Sequence, residues 1–166
     1  MRPPAGRRTA LAVLAALLLF SLSACSPPSD EAILRDYIDA GVNALNARDG
    51  SAALEHVRPG LVVRGEGIAV DARRLMLIYF QRFKKVHVFV YGLDMEIDGR
   101  RAELRFNAVL SATNARLPER ISLFAVTSRW EKDEDWWLSE LRWQRRMMDW
   151  PELPQEVQRW LQEDPA

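Results

Sequence analysis

The sequence predicts an α+β domain, with helices first and antiparallel strands after them. Two observations carry this. Apolar residues recur at helical spacing up to about Phe83, and from Lys85 onward the period changes to two. Two turn signals, Asp98-Gly99 and Asp133-Glu134, then sit between alternating apolar segments, as hairpin turns do. Composition agrees: 48% hydrophobic and 28% charged residues in a chain of 166 is ordinary for a globular protein. Lys plus Arg is 23 and Asp plus Glu is 23, a balance that argues against nucleic-acid binding.

The first helix begins at Ser29, a good N-cap, with Asp30 and Glu31 favourably placed in its first turn. Leu34, Tyr37, Ile38, Gly41 and Leu45 form its apolar stripe, and Asp49-Gly50 stops it. A short second helix over 51–57 ends at Pro59-Gly60. Residues 61–70 read as a small hairpin turning at Gly65-Glu66-Gly67, which lacks the third Gly or Gly-Lys of a phosphate loop. Asp71 caps a third helix whose stripe is Leu75, Ile78, Tyr79 and Phe83.

In the first long hairpin the Asp98-Gly99 turn pairs Ile97 with Arg100. That register sets Met95 opposite Ala102, Leu93 opposite Leu104, Tyr91 opposite Phe106, Phe89 opposite Ala108 and His87 opposite Leu110. In the second hairpin Trp130 faces Trp137, Ser128 faces Ser139, Val126 faces Leu141 and Phe124 faces Trp143. A short helix is expected over 155–161. The opposite sheet face would carry Val86, Val88, Val90, Val109, Ile121, Leu123 and Ala125, a row that needs a second subunit or the C-terminal tail as cover.

The N-terminus carries an address. Arg2, Arg7 and Arg8 precede an apolar run over 10–22, interrupted only by Ser21, which is too short to span a bilayer and fits a signal peptide. It ends Leu22-Ser23-Ala24-Cys25, which resembles the lipobox of bacterial lipoproteins. Ordinary secretion by a cut after Ser23 is the alternative. Cys25 is the only cysteine, so it has no partner for an intramolecular disulfide. The resemblance implies lipid on Cys25, a periplasmic location and membrane attachment. Ser26 in place of Asp points to the outer membrane. The chain then divides into a signal peptide (1–24), a lipidated tether (25–29), a domain (30–146) and a tail (147–166).

The element order, with Ala-Leu-Asn-Ala-Arg-Asp-Gly at 44–50, resembles the nuclear transport factor 2-like superfamily. The resemblance implies a cystatin-like cone: three helices in the concave face of a curved antiparallel sheet, with a pocket at the open end. The family spans isomerases, dehydratases and non-catalytic adaptors, so it does not fix function. The isomerase's helical Tyr falls on Gly41 here, and its base would fall near Glu66, out of register. The pocket residues this reading selects are His87, Tyr91, Phe106, Ser128, Trp130, Trp137 and Trp143. His87 with Tyr91 would serve a dehydratase or isomerase; the simpler reading is a hydrogen-bonded core histidine and packed aromatics. His56 reads as a charge near a helix end. Two histidines beside one cysteine argue against zinc, and no cofactor is implied. The function expected is a membrane-anchored, non-catalytic ligand-binding or interaction module. A homodimer or an envelope protein would dock on the outer sheet face. Trp150 and Trp160 are expected at a membrane or partner surface.

Overall fold

The computed structural model describes residues 27–114, 120–147 and 153–163. Cys25, Ser26 and the segment before them lie outside the described residues, as does Trp150. The elements are α1 (Asp30–Asn46), α2 (Gly50–Ala53), β1 (Val62–Gly65), β2 (Ile68–Asp71), α3 (Ala72–Arg82), β3 (Lys85–Asp98), β4 (Arg101–Thr113), β5 (Arg120–Lys132), β6 (Trp136–Arg146) and α4 (Gln155–Glu163). The six strands form one curved sheet ordered β2-β1-β6-β5-β4-β3. All neighbours are antiparallel except β1 and β6.

Ser29 caps α1 by accepting from the Ala32 amide at 3.2 Å. Leu34, with no exposed surface, leads the buried face of α1 into a core of Leu61, Val63, Ala102, Leu104, Trp130, Trp136 and Leu138. Each such fully buried large side chain contributes about 2 kcal/mol through area removed from water.

The motif at 44–50 makes the corner that holds the helices to the sheet. Asn46 lies across the backbone of edge strand β3: its Nδ2 donates to the Val88 carbonyl at 3.1 Å and its Oδ1 accepts from the Val88 amide at 2.7 Å. It thereby satisfies groups that an edge strand leaves open. Arg48 adopts a left-handed backbone (φ 58°). Its guanidinium donates to the carbonyls of Phe80, Phe83 (2.7 Å) and Lys84 (3.0 Å), a cation placed on the C-terminal end of α3. Asp49 caps α2, accepting from Ser51 and Ala52.

Both long hairpins depart from the expected register, and the departures decide which face side chains occupy. The first closes one residue later, with Asp98 opposite Arg101 and Met95 opposite Leu104. A bulge between Tyr91 and Asp94 then adds a residue to β3. Gly92 supplies its left-handed conformation (φ 65°), as such bulges favour. Beyond the bulge the parity reverses. Tyr91, Phe89 and His87 pair with Asn107, Val109 and Ser111 on the outer face, while Val90, Val88 and Val86 pair with Ala108, Leu110 and Ala112 on the helix side. In the second hairpin Lys132 pairs with Trp136, so Trp136 rather than Trp137 enters the core. A second irregularity between Arg129 and Trp130 resets the pairing to Ser128 with Leu141 and Val126 with Trp143.

The outer face is only partly the apolar row expected. Val109 and Leu123 lie there, packed beneath Val157 and Leu161 of α4, with Phe89, Tyr91, Leu153 and Trp160 around them. Trp160 stacks on Phe89 at 5.4 Å, so it belongs to this cluster instead of standing at a free surface. Of the two covers the sequence allows, the C-terminal tail is the one seen.

Replacing Asn46 with Ala should lower stability by about 1–3 kcal/mol, because two backbone groups of Val88 lose their partners together. Denaturant unfolding of wild type and variant checks this; unchanged midpoints would refute the edge-clamp role.

Candidate functional site

The structure does not bring the seven predicted pocket residues together. His87 and Tyr91 sit on the outer face, Tyr91 beneath α4. Burial raises the Tyr91 pKa, and Arg146 and Glu156 act on it in opposite directions. Phe106 does face the helices, against the main core. Ser128 and Trp130 are buried beside it, and the indole Nε1–H of Trp130 donates to Ser128 Oγ at 3.1 Å. Trp143 packs edge-on to Phe124 at 5.3 Å and covers Gly65 so closely that an added Cβ would fall 2.3 Å from its ring. Trp137 lies 6.4 Å from the His56 ring. Ser139 donates to the Arg129 carbonyl on the outer face.

A different cluster forms where α1 meets the β5–β6 turn. The Tyr37 hydroxyl donates to Asp135 Oδ1 at 2.6 Å. The His56 ring stacks on Tyr37, with centroids 3.5 Å apart, and its Nδ1 lies 3.9 Å from Asp135 Oδ2. His56 is fixed there because residues 56–58 run beside β6, its carbonyl accepting from the Leu138 amide at 2.8 Å. Nearby, Asp30 Oδ1 accepts from Lys132 Nζ at 2.5 Å and from Trp136 Nε1 at 3.0 Å. Burial, reinforced by the Asp135 hydrogen bond, pushes the Tyr37 pKa up to about 12. The same bond holds the Asp135 carboxyl below its usual range. The group is Tyr, His and Asp in contact, yet its chemistry is largely committed. Asp135 Oδ1 already accepts from Tyr37 and from the Trp136 amide, and Tyr37 covers one face of the imidazole. It works as a latch between helix and sheet. Sequence reasoning missed it because Tyr37 and Asp135 are 98 residues apart.

Two open concavities lie on the outer sheet face, beside the region α4 covers. One of about 560 Å³ is lined by Glu96, Arg101, Glu103, Arg129, Ser139 and Glu140, among others. A second of about 300 Å³ shares Glu103, Arg129 and Glu140 and adds Thr127, Arg142 and Gln144. The floor is a lattice of charges running across four strands. Arg105 bridges Glu96 (2.7 Å) and Glu103 (3.1 Å); Arg129 bridges Glu103 (3.1 Å) and Glu140 (2.9 Å); Arg142 reaches Glu140 at 2.5 Å. Glu96 and Glu103 stand directly opposite each other, a repulsive pair that Arg105 resolves by touching both. The hydrogen bonds from Arg129 and Arg105 hold the Glu103 carboxyl below its ordinary value, so it stays ionised. Among the described residues no three His, Cys, Asp or Glu side chains converge as a metal would need.

The similarity of this chain to known proteins is one of fold. No family model matches the chain, and no curated protein matches it in sequence. Solved structures do. A function-unknown protein from Mycobacterium tuberculosis aligns at TM-score 0.59 and 17% identity, over 69% of this chain and 70% of that one. A candidate dehydratase of the nuclear transport factor 2-like family from Streptomyces avermitilis aligns at TM-score 0.62 and 11% identity, over 74% and 100%. The hexachlorocyclohexane dehydrochlorinase LinA-type3 from Novosphingobium barchaimii aligns at 0.58 and 13%, over 72% and 88%. The fold is therefore the cystatin-like one, with helices on a curved six-stranded sheet. At these identities the likeness establishes fold alone.

The latch titrates at both ends of the pH scale. Asp135, with its pKa lowered from 3.8, contributes stability that is present above that value and lost as pH falls through the lower folded-state value. Tyr37, raised from 10.0 to about 12, contributes stability that is whole below pH 10 and lost as pH rises through 12. Tyr37→Phe should remove the Tyr37 share of the alkaline limb, leaving that of Tyr91, and cost about 1 kcal/mol at neutral pH. Phenolate absorbance titration and thermal melts across pH read both effects; a Tyr37 that ionises near 10 would refute the latch.

Proposed function

We propose that the protein is a lipid-anchored module of the bacterial envelope that binds a partner or ligand and does no chemistry on it. The observation that carries the binding half is the division of the expected acid–base pocket. His87 and Tyr91 lie on one face of the sheet, while Phe106, Ser128 and Trp130 lie on the other, packed into the core. General acid–base chemistry needs its groups to open into the cavity that holds the substrate. His87 and Tyr91 face away from the expected pocket lining, and Tyr91 is covered by α4. A charged trough lies open on the outer face, and its ion-paired donors and acceptors suit recognition of a polar partner. The dehydratase and dehydrochlorinase activities belong to the neighbours, and a shared fold does not transfer them.

The anchor half rests on Leu22-Ser23-Ala24-Cys25 after a short apolar run. One acyl chain gives reversible attachment, and two or three make it durable. Ser26 favours the outer membrane, with the domain in the periplasm. From Cys25 only four residues precede α1, two of them Pro, so the domain would stay close to the bilayer.

Cys25→Ser should abolish lipidation, because a hydroxyl is a far weaker nucleophile than a thiolate, and the unlipidated form should differ from wild type in membrane fractionation and in mass. Equal lipid mass on both proteins would sink the anchor. Native mass spectrometry of wild type extracted from membranes should also show acyl mass on the chain, together with any retained ligand and the subunit count. Turnover of a small hydroxylated or halogenated ring compound by the same material would overturn the non-catalytic reading.

A further inference from the structure

Helix α3 presents a face that no other element covers. Six apolar residues run without a break from Leu75 to Phe80. Leu75, Met76, Tyr79 and Phe80 turn partly into the fold, but Leu77 and Ile78 stay 46% and 44% exposed. Helical geometry sets them within two outward rows, Arg73-Leu77-Gln81 and Arg74-Ile78-Arg82, all exposed. Lys84 and Lys85 follow, also exposed, and Ile68 on β2, the strand leading into α3, is 54% exposed.

The charge on this face differs from that of the lattice on the outer sheet face. On the outer sheet face Arg105, Arg129 and Arg142 are each ion-paired. Among the described residues, none of Arg73, Arg74, Arg82, Lys84 and Lys85 makes an ion pair; the Arg82 guanidinium lies over the Phe83 ring. The nearest acid in sequence, Asp71, is occupied as the cap of α3, accepting from the Arg74 amide. After residue 24 the chain holds 20 basic and 23 acidic side chains; five basic and one acidic lie in 71–85, so the rest carries 15 against 22. Five basic side chains against one acid thus fall within this short stretch, three of them on α3 and two just after it.

We propose that the outer face of α3 docks on an anionic lipid surface. The pattern matches what such an interface takes up. Leu77 and Ile78 would enter the boundary between headgroups and acyl chains, while the arginines reach back to lipid phosphates. A protein partner would have to cover five cations and a convex helix that offers only two aliphatic anchors. A lipid surface adapts to that shape and supplies the opposite charge. The orientation that follows rests on the anchor proposed above; the docking does not. The tether enters at the start of α1, and Arg48, just past its other end, holds the last turn of α3. Contact at both points would lay the helical side of the domain along the membrane and turn the charged trough away from it, open to a partner.

The test uses the full chain purified from membranes and reconstituted into vesicles of phosphatidylcholine, alone or mixed with phosphatidylglycerol. Floated vesicles are collected, and amide hydrogen exchange over residues 72–82 is measured. Exchange should slow several-fold on the anionic vesicles only, and the slowing should vanish at high salt. Each cation at such a surface strengthens association about fivefold. Arg73→Glu with Arg74→Glu should therefore return the helix to its rate on neutral vesicles, while its melting temperature holds because acids suit a helix N-terminus. Equal rates on the two vesicle types, both fast or both slow, overturn the proposal, as does slowing that survives the double substitution. Failure to float on neutral vesicles counts against the anchor; failure to float on anionic ones counts against the docking.

Discussion

The structure turns on a short corner, residues 46–49, where three polar side chains each complete a different element. Asn46 supplies the missing neighbour of edge strand β3 at Val88, Arg48 closes the C-terminal end of α3, and Asp49 starts α2. The physical demand behind all three is the same: backbone groups at strand edges and helix ends must find partners when water is excluded. Because the three residues are nearly contiguous, the position of α1 sets those of α2, α3 and β3 together. The segment at 44–50 is thus an architectural joint in this chain, and its polar side chains are committed to the fold.

Charge is arranged differently on the outer sheet face and on the outward face of α3. On the sheet, acids and bases from four strands neutralise one another in a continuous lattice, which fixes side chains without removing them from water. Such exposed pairs add little to stability individually, but together they pattern the surface with alternating charge. On α3 the cations have no such partners, so their charge remains available to an external anion. The C-terminal helix α4 separates these roles from the core problem, because it buries the apolar part of the outer face that would otherwise have to be covered by another chain.

Element order was legible in the sequence because it depends on local rules. Ser29 and Asp71 are caps in the structure as their side chains predict, and the change of period near residue 85 is the passage from helices to sheet. The apolar period and the Asp98-Gly99 signal located the hairpin but not its pairing. Strand register obeys a stricter condition, since one added residue moves every later side chain to the opposite face. Gly92 makes that addition, and nothing in the alternation of residues 86–91 announces it, because valines and aromatics fill both faces there.

The sequence by itself determined the class of fold, the caps at Ser29 and Asp71, and the existence of the two long hairpins. Those are properties of neighbouring residues and survive without any tertiary contact. Only the tertiary structure decided that Tyr91 lies under a helix and not in the cone, that Trp136 and not Trp137 fills the core, and that Tyr37, His56 and Asp135 meet. Each depends on a bulge, a turn length or a contact between segments far apart in the chain. These depend on how whole elements pack against one another, which local pattern does not specify.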